Sequence, residues 1–154
     1  MQNKNITILK DLYKPKEPEQ FKLEEVLKCI QQPNEINGQL AEYQKLFAKY
    51  GKNDERTVAA KNNLPCINFS GTFYGNVVND DFAQCSGIFL VDIDNVDPTS
   101  TKDKLAKLPF TIFAFTSPSG NGVKAGIRVD PTLITSDQDF KRIYHCVEPW
   151  LATL

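Results

Sequence analysis

The chain has 154 residues, 41% of them hydrophobic and 24% charged, enough for one globular domain with a single core and too apolar for a disordered or fibrous chain. A net charge of −1 removes any global basic field that would hold nucleic acid without local contacts. The longest apolar runs, such as Ile88-Phe-Leu-Val91, are strand-length, and Met1-Gln-Asn-Lys4 leads into no signal segment, so a cytoplasmic protein with no membrane partner is expected.

In chain order, a short strand is expected over Ile6–Leu9, followed by a polar stretch broken by Pro15 and Pro18. Leu23, Val26, Leu27 and Ile30 recur at helical spacing before Pro33, and Ile36, Leu40, Tyr43, Leu46 and Phe47 do so before Gly51. A third helix, about Asp54 to Asn62, should turn Val58 and Ala59 inward and Arg56 and Lys61 outward. Cys66–Phe69 reads as a strand, and Ser70-Gly-Thr-Phe-Tyr-Gly75 reads as a turn.

From Gly87 onward the signals sharpen. A strand over Ile88–Asp94 precedes a helix with Asp97 as N-cap, Pro98 in its first turn, and Leu105 and Leu108 facing in. A strand over Phe110–Phe115, the turn Ser117-Pro-Ser-Gly-Asn-Gly122 and a strand over Val123–Val129 follow. A last helix starts near Ser136, with Asp139 as its capping partner, and carries Phe140, Ile143, Tyr144, Val147, Trp150 and Leu151.

Strand, helix, strand, strand, helix is five of the six elements of a split βαβ, ferredoxin-like unit. The expectation is therefore an α+β domain spanning 1–154, with a mainly helical N-terminal lobe over 1–63 and an RRM-like core over 64–154. The closing strand is missing, and the chain stops inside an apolar pattern, which suggests a fragment of a longer protein.

In such a unit the first two strands run parallel, with the third antiparallel between them. That gathers Asp92 and Asp94, the Gly-rich turn and Lys124 at one end of the sheet. By the two-residue period, Asp92 and Asp94 share a face, as do Lys124, Gly126 and Arg128 on the neighbouring strand. Two carboxylates on alternate positions suit Mg²⁺ or Mn²⁺, which also takes water and phosphate oxygens. The turn residues Ser117, Ser119, Gly120 and Gly122 offer an anion nest, Lys124 offers a phosphate partner, and Gly126 leaves room for a ligand against the strand. Together they describe a metal–nucleoside triphosphate site. Taken singly, each part has a plainer reading: Asp-x-Asp as a solvated strand end, the Ser/Gly turn as an ordinary hairpin, Lys124 and Arg128 as surface charges. The turn is not a Walker A loop, because it lacks the four-residue gap and the Ser/Thr after the lysine.

The cysteines, Cys29, Cys66, Cys85 and Cys146, form no Cys-x-x-Cys pair and read as reduced core thiols. His145 and Cys146 are helix neighbours about 100° apart and cannot form a dyad by themselves.

The segments Lys61-Asn-Asn-Leu-Pro65, Ser70-Gly-Thr-Phe73, Ser86-Gly-Ile-Phe-Leu-Val-Asp-Ile-Asp94 and Phe115-Thr-Ser-Pro-Ser-Gly-Asn-Gly-Val-Lys124 resemble the VirE-type N-terminal domain of Bacteroides and mobile-element proteins. That domain in turn resembles the archaeo-eukaryotic primase and primase-polymerase superfamily. The resemblance, over about 61–150, implies a nucleotidyltransferase of DNA replication whose Asp-x-Asp pair, here Asp92 and Asp94, is catalytic and binds divalent metal. It implies nucleotide contacts from Ser119, Gly120, Gly122 and Lys124, with Lys124 standing where the family motif has histidine, and Ser117 and Arg128 beside them are further nucleotide-binding candidates. The third acid of the family has no clear match in this sequence. A nucleoside triphosphate, a single-stranded DNA template and a helicase-like ATPase domain in the same polypeptide are the implied partners. Lys61, Arg56, Lys141 and Arg142 are candidates for template-backbone contacts, with plain solvation as their simpler role.

Two rival functions fit some of the same residues. A haloacid-dehalogenase-like phosphatase would use Asp92 as nucleophile and Asp94 as acid/base, with Thr116 or Ser117 at the next strand end. A catalytically silent nucleic-acid-binding module would use the sheet alone and need no metal. The Asp-x-Asp of sugar-nucleotide glycosyltransferases is a fourth, more distant option in so short a chain.

Overall fold

The structure, a computed structural model, describes residues 4–9, 19–32, 37–74, 77 and 81–151. Pro15, Pro18, Pro33, Ile36 and Gly75 lie outside the described residues. The chain is α+β and divides into two compact units, residues 1–86 and 87–154.

In the first unit β1 (Asn5–Leu9) is the centre of an antiparallel sheet, with β2 (Glu19–Lys22) on one side and β3 (Cys66–Asn68) on the other. Three helices lie between β2 and β3 in sequence: α1 (Leu23–Gln31), α2 (Asn37–Tyr50), which ends at Gly51 as expected, and α3 (Glu55–Asn62). Among the described residues of this unit, Ile6, Leu9, Leu23, Val26, Tyr43, Leu64, Phe69 and Phe73 are the buried apolar side chains.

Three differences from the sequence reading stand out here. First, the segment around Ser70–Gly75 is not simply a turn: Gly71–Phe73 is a strand, β4, paired antiparallel with β5 (Phe82–Cys85). Second, the division of the chain falls after Ser86 and not at residue 63, because β3 is drawn into the sheet of β1 and Ser86 bonds back to Phe69 and Ser70. Third, α3 turns Thr57 inward while Val58 and Ala59 are exposed. A two-turn helix has room for about one fully buried position, and Asp54, capping the N-H of Arg56, sets its phase.

In the second unit the elements are β6 (Ile88–Asp94), α4 (Pro98–Ala106), β7 (Thr111–Thr116), β8 (Gly122–Arg128), a 3₁₀ turn at Pro131–Leu133, and α5 (Asp137–Leu151). The sheet order is β6-β8-β7, with β8 antiparallel to both neighbours, so β6 and β7 run parallel as the split βαβ reading requires. Asp97 caps α4 by accepting from Ser100 N-H at 2.8 Å, with Pro98 in the first turn. At the start of α5, the Asp139 carboxylate accepts from Thr135 N-H at 3.0 Å and Ser136 Oγ at 2.8 Å.

The core of this unit is built on one face of the sheet. Phe89 and Val91 of β6 and Val123, Ala125 and Ile127 of β8 meet Leu105 of α4, Leu108 just after it, and Phe140, Ile143, Val147, Trp150 and Leu151 of α5. Phe110 and Trp150 close this layer edge-to-face, with ring centroids 5.3 Å apart. Both helices therefore cover the same face, and the other face of the sheet is free of helices of this unit. The cysteines are not core residues: Cys29 and Cys146 are exposed on the outer sides of α1 and α5, and Cys66 and Cys85 are half-buried. Among the described residues no helix is long and apolar enough to cross a membrane.

Two predictions follow from this packing. The Thr57 hydroxyl is 1% exposed and has no hydrogen-bond partner among the described residues, so Thr57→Val should raise stability by about 1 kcal/mol, read from the urea midpoint. The carboxyls of Asp54, Asp97, Asp130 and Asp139 all lie below the usual carboxylate range. The Arg56 side chain lowers the first, the Ser100 N-H the second, the Thr132 hydroxyl and N-H the third, and the Thr135 N-H with the Ser136 hydroxyl the fourth. Folding favours their ionised forms, so their contribution is complete above about pH 4 and fades as pH falls through the lowered folded-state values. The urea midpoint should drop on acidification below pH 4, and Asp139→Asn should flatten that drop.

Candidate functional site

The alternation of β8 sends Val123, Ala125 and Ile127 into the core, so Gly122, Lys124, Gly126 and Arg128 take the opposite face. The antiparallel registers with β6 and β7 then fix that face as cross-strand rows. Asp94 pairs with Gly122, Asp92 with Lys124 and then Phe115, Leu90 with Gly126 and then Phe113, and Ile88 with Arg128.

The Asp92 row holds a direct ion pair, in which Lys124 Nζ donates to Asp92 Oδ2, with both side chains in part exposed to solvent. Asp94 is exposed one step further toward the end of β6, on the same face as Asp92. Beyond it Asn95 takes the left-handed conformation, φ 59°, which asparagine tolerates better than most residues, and swings the chain toward α4. Val96 N-H then donates to Asn121 O at 3.3 Å, tying the loop after β6 to the turn between β7 and β8. The three parts expected at one end of the sheet are therefore together.

The turn is ordered by its own hydrogen bonds. Ser117 N-H donates to Gly122 O at 2.8 Å and Gly120 N-H to Ser117 O at 2.9 Å, with Gly120 at φ 84°. The hydroxyls of Ser117 and Ser119 lie 3.0 Å apart, and Ser119 Oγ donates to Asn121 Oδ1 at 2.5 Å. Ser117 is itself buried. Two N-H groups of the expected anion nest are thus spent inside the turn. Lys102 of α4 adds a further cation here, donating to Thr116 Oγ1 at 3.2 Å, a contact that spacing alone does not reveal.

Other expected residues stand apart from this cluster. Arg128 shares the face of Lys124 but pairs with Ile88 at the far end of β6, about 13 Å along the strand from Lys124. The space expected beside Gly126 is filled: a Cβ there would meet the Phe113 ring at 2.4 Å. Lys141 and Arg142 are on α5, which packs on the opposite face, and Arg142 pairs with Asp139 at 3.1 Å. Arg56 and Lys61 belong to the first unit, where Arg56 is held by two 2.9 Å bonds to Asp54 and lies 3.6 Å over the Tyr50 ring. Lys61 is exposed. His145 and Cys146 are exposed on α5, away from this face.

Electrostatically, the end of the sheet is two carboxylates with the Lys124 ammonium between the strands and that of Lys102 at Thr116, and the carboxylates are a donor set suited to a hard divalent cation completed by ligand oxygens. Among the described residues no group of three His, Cys, Asp or Glu is poised around a metal. At Gly122 a Cβ would approach Ile93 O to 2.6 Å, a backbone atom that cannot give way. Gly122→Ala should therefore cost about 1–3 kcal/mol, seen as a lowered Tm, and disturb the register that sets Asp94 beside the turn.

The family model for the BT4734-like N-terminal domain, a Bacteroides family, matches residues 59–147, more than half of the chain and nearly the stretch that carries the sequence resemblance. No curated protein and no solved structure matches the chain.

Proposed function

The chain belongs to the BT4734-like N-terminal domain family, and we propose that its second unit is the nucleotide site of a primase-polymerase-like nucleotidyltransferase, the link that the resemblance to VirE-type domains suggests. The observation that carries this reading is the row in which Asp92 faces Lys124, flanked by Asp94 facing Gly122 at the mouth of the Ser/Gly turn.

Asp92 and Asp94 would hold Mg²⁺ or Mn²⁺, whose charge would offset that of a triphosphate and whose coordination would orient it. The chain's own groups do the rest of the binding. Lys124 exchanges its carboxylate partner for a phosphate oxygen, which frees the second Asp92 oxygen. Ser117 and Ser119 keep the turn in shape through their paired hydroxyls. Gly122 lets β8 approach the backbone of β6 closely enough to hold Asp94 against the turn. A single-stranded DNA template, a replication or mobile-element setting and a helicase-like ATPase domain in the same polypeptide are part of the same proposal.

The phosphatase alternative gains no support from this topology. It relies on a nucleophilic aspartate between parallel strands, whereas β8 runs antiparallel beside Asp92.

Calorimetric titration of a deoxynucleoside triphosphate with Mn²⁺ into this chain should show binding that disappears without metal. Asp92→Asn and Asp94→Asn should each weaken it at least tenfold, and Lys124→Met by about tenfold, with the fold intact by circular dichroism. Binding that ignores both metal and these substitutions would sink the proposal in favour of a silent nucleic-acid-binding module.

A further inference from the structure

The proposed metal–phosphate site uses one lysine, but the end of the sheet carries two. Lys102 of α4 is half-buried, whereas Lys104 of the same helix is exposed. It flanks the stripe of Thr101 and Leu105 that α4 buries, so its stem runs beside packed surface and its ammonium is carried to the end of β7. There it donates to Thr116 Oγ1 at 3.2 Å. Thr116 is the last residue of β7, where the Ser/Gly turn begins, and Gly122, where the turn ends, is in register with Asp94. Lys102 and Asp94 therefore stand at the two feet of one turn. Thr116 is in register with Val123, whose side chain is in the core, so Lys102 approaches from the side of α4 and Lys124 from the other face. In the sheet order β6-β8-β7, this end carries the two carboxylates, then the Lys124 ammonium, then that of Lys102.

The contact with Thr116 does not account for the second charge. An ammonium has three donors, and a threonine hydroxyl accepts one of them without neutralising it. Among the described residues no carboxylate lies within ion-pair distance of Lys102. Asp97, at the start of α4, is committed to the Ser100 N-H, which lowers its carboxyl more than the Lys102 charge does. Lys124 is already paired with Asp92 and must leave a carboxylate to take a phosphate. Lys102 gives up only a neutral acceptor, so the same exchange costs it less.

We propose that Lys102 binds the distal phosphates of the nucleotide whose metal-bound phosphate is held at Asp92, Asp94 and Lys124, and so makes the site prefer a triphosphate to a monophosphate. This inference rests on the nucleotide reading above. A single phosphate group carries about two negative charges at neutral pH, which a divalent ion already matches, and each further phosphate adds to that charge. A second ammonium at the far foot of the turn finds its counterpart only in the longer chain.

The test compares deoxythymidine triphosphate with the monophosphate by calorimetry in the presence of Mn²⁺. The wild-type chain should bind the triphosphate more tightly. Lys102→Met should weaken the triphosphate roughly ten- to a hundredfold, the worth of a hydrogen bond to a charged group, and change the monophosphate by less than about twofold. Lys102→Arg should keep most of the triphosphate affinity, and Thr116→Val, which removes the hydroxyl but not the charge, should leave it within about threefold. Equal affinity of the wild type for the two nucleotides, or triphosphate binding unchanged in Lys102→Met, overturns the inference and leaves the metal site standing. A loss in Thr116→Val as large as that in Lys102→Met also overturns it, because Lys102 then serves only to prop the end of β7. If neither nucleotide binds with metal, the nucleotide reading fails and the role of Lys102 with it.

Discussion

The two-residue period of β8 is the constraint on which the second unit depends. This strand pairs on both sides, with β6 and with β7, and alternates strictly between the face that meets α4 and α5 and the face that carries Lys124. A slip of one residue would drive Lys124 and Gly126 into the layer occupied by Leu105 and expose Val123, Ala125 and Ile127. The apolar packing of α4 and α5 thus determines which residue of β8 stands opposite Asp92. The charged row is exposed, but its alignment is enforced from the buried side. The side chains of Val123 and Leu105, both fully buried, contribute to the position of a carboxylate they never touch.

Acidic caps do comparable work at the joints of both units. Asp54, Asp97 and Asp130 each accept from a backbone N-H two or three residues ahead, and Asp139 reaches back to Thr135. Each closes the unpaired N-terminal donors of a helix or 3₁₀ turn where the chain changes direction. In the second unit they punctuate every connection to a helical segment, so the loops around the sheet are held by side chains encoded locally.

This local encoding explains what could be read from the sequence. The second unit was legible because β6 and β8 are long enough to show their alternation and because Asp97-Pro98 and Ser136 with Asp139 mark helix starts. The strands β2, β4 and β5 were not, since Glu-Gln-Phe-Lys, Gly-Thr-Phe and Phe-Ala-Gln-Cys are too short to establish a period and owe their form to partners distant in sequence. Within the site, alternation located Asp92, Asp94 and Lys124 on one face but could not say how far along it Arg128 would fall. The facing of β7 was not legible for a different reason: Thr-Ile-Phe-Ala-Phe-Thr is apolar nearly throughout and does not reveal which residues face the core. The usable signal lay in the partner strand, where Gly126 is a small residue opposite a large one. Charge type alone could not place Arg56, Lys141 or Arg142, which are committed to Asp54, to the far layer and to Asp139.

The ion pair of Lys124 and Asp92 also sets the range over which this face acts. Two bare carboxylates would form a local double negative charge that repels any polyanion before contact, and an unpaired lysine would attract one from several ångströms away. With the Lys124 ammonium already seated on Asp92 and that of Lys102 at Thr116, the two carboxylates are largely offset at a distance, and the net charge of −1 on the chain adds little steering. An anion that displaces Asp92 from Lys124 swaps one ionic contact for another and meets no long-range pull beforehand. Under the proposed nucleotide reading, recognition at this row is a short-range event, decided by fit within the rows of the sheet.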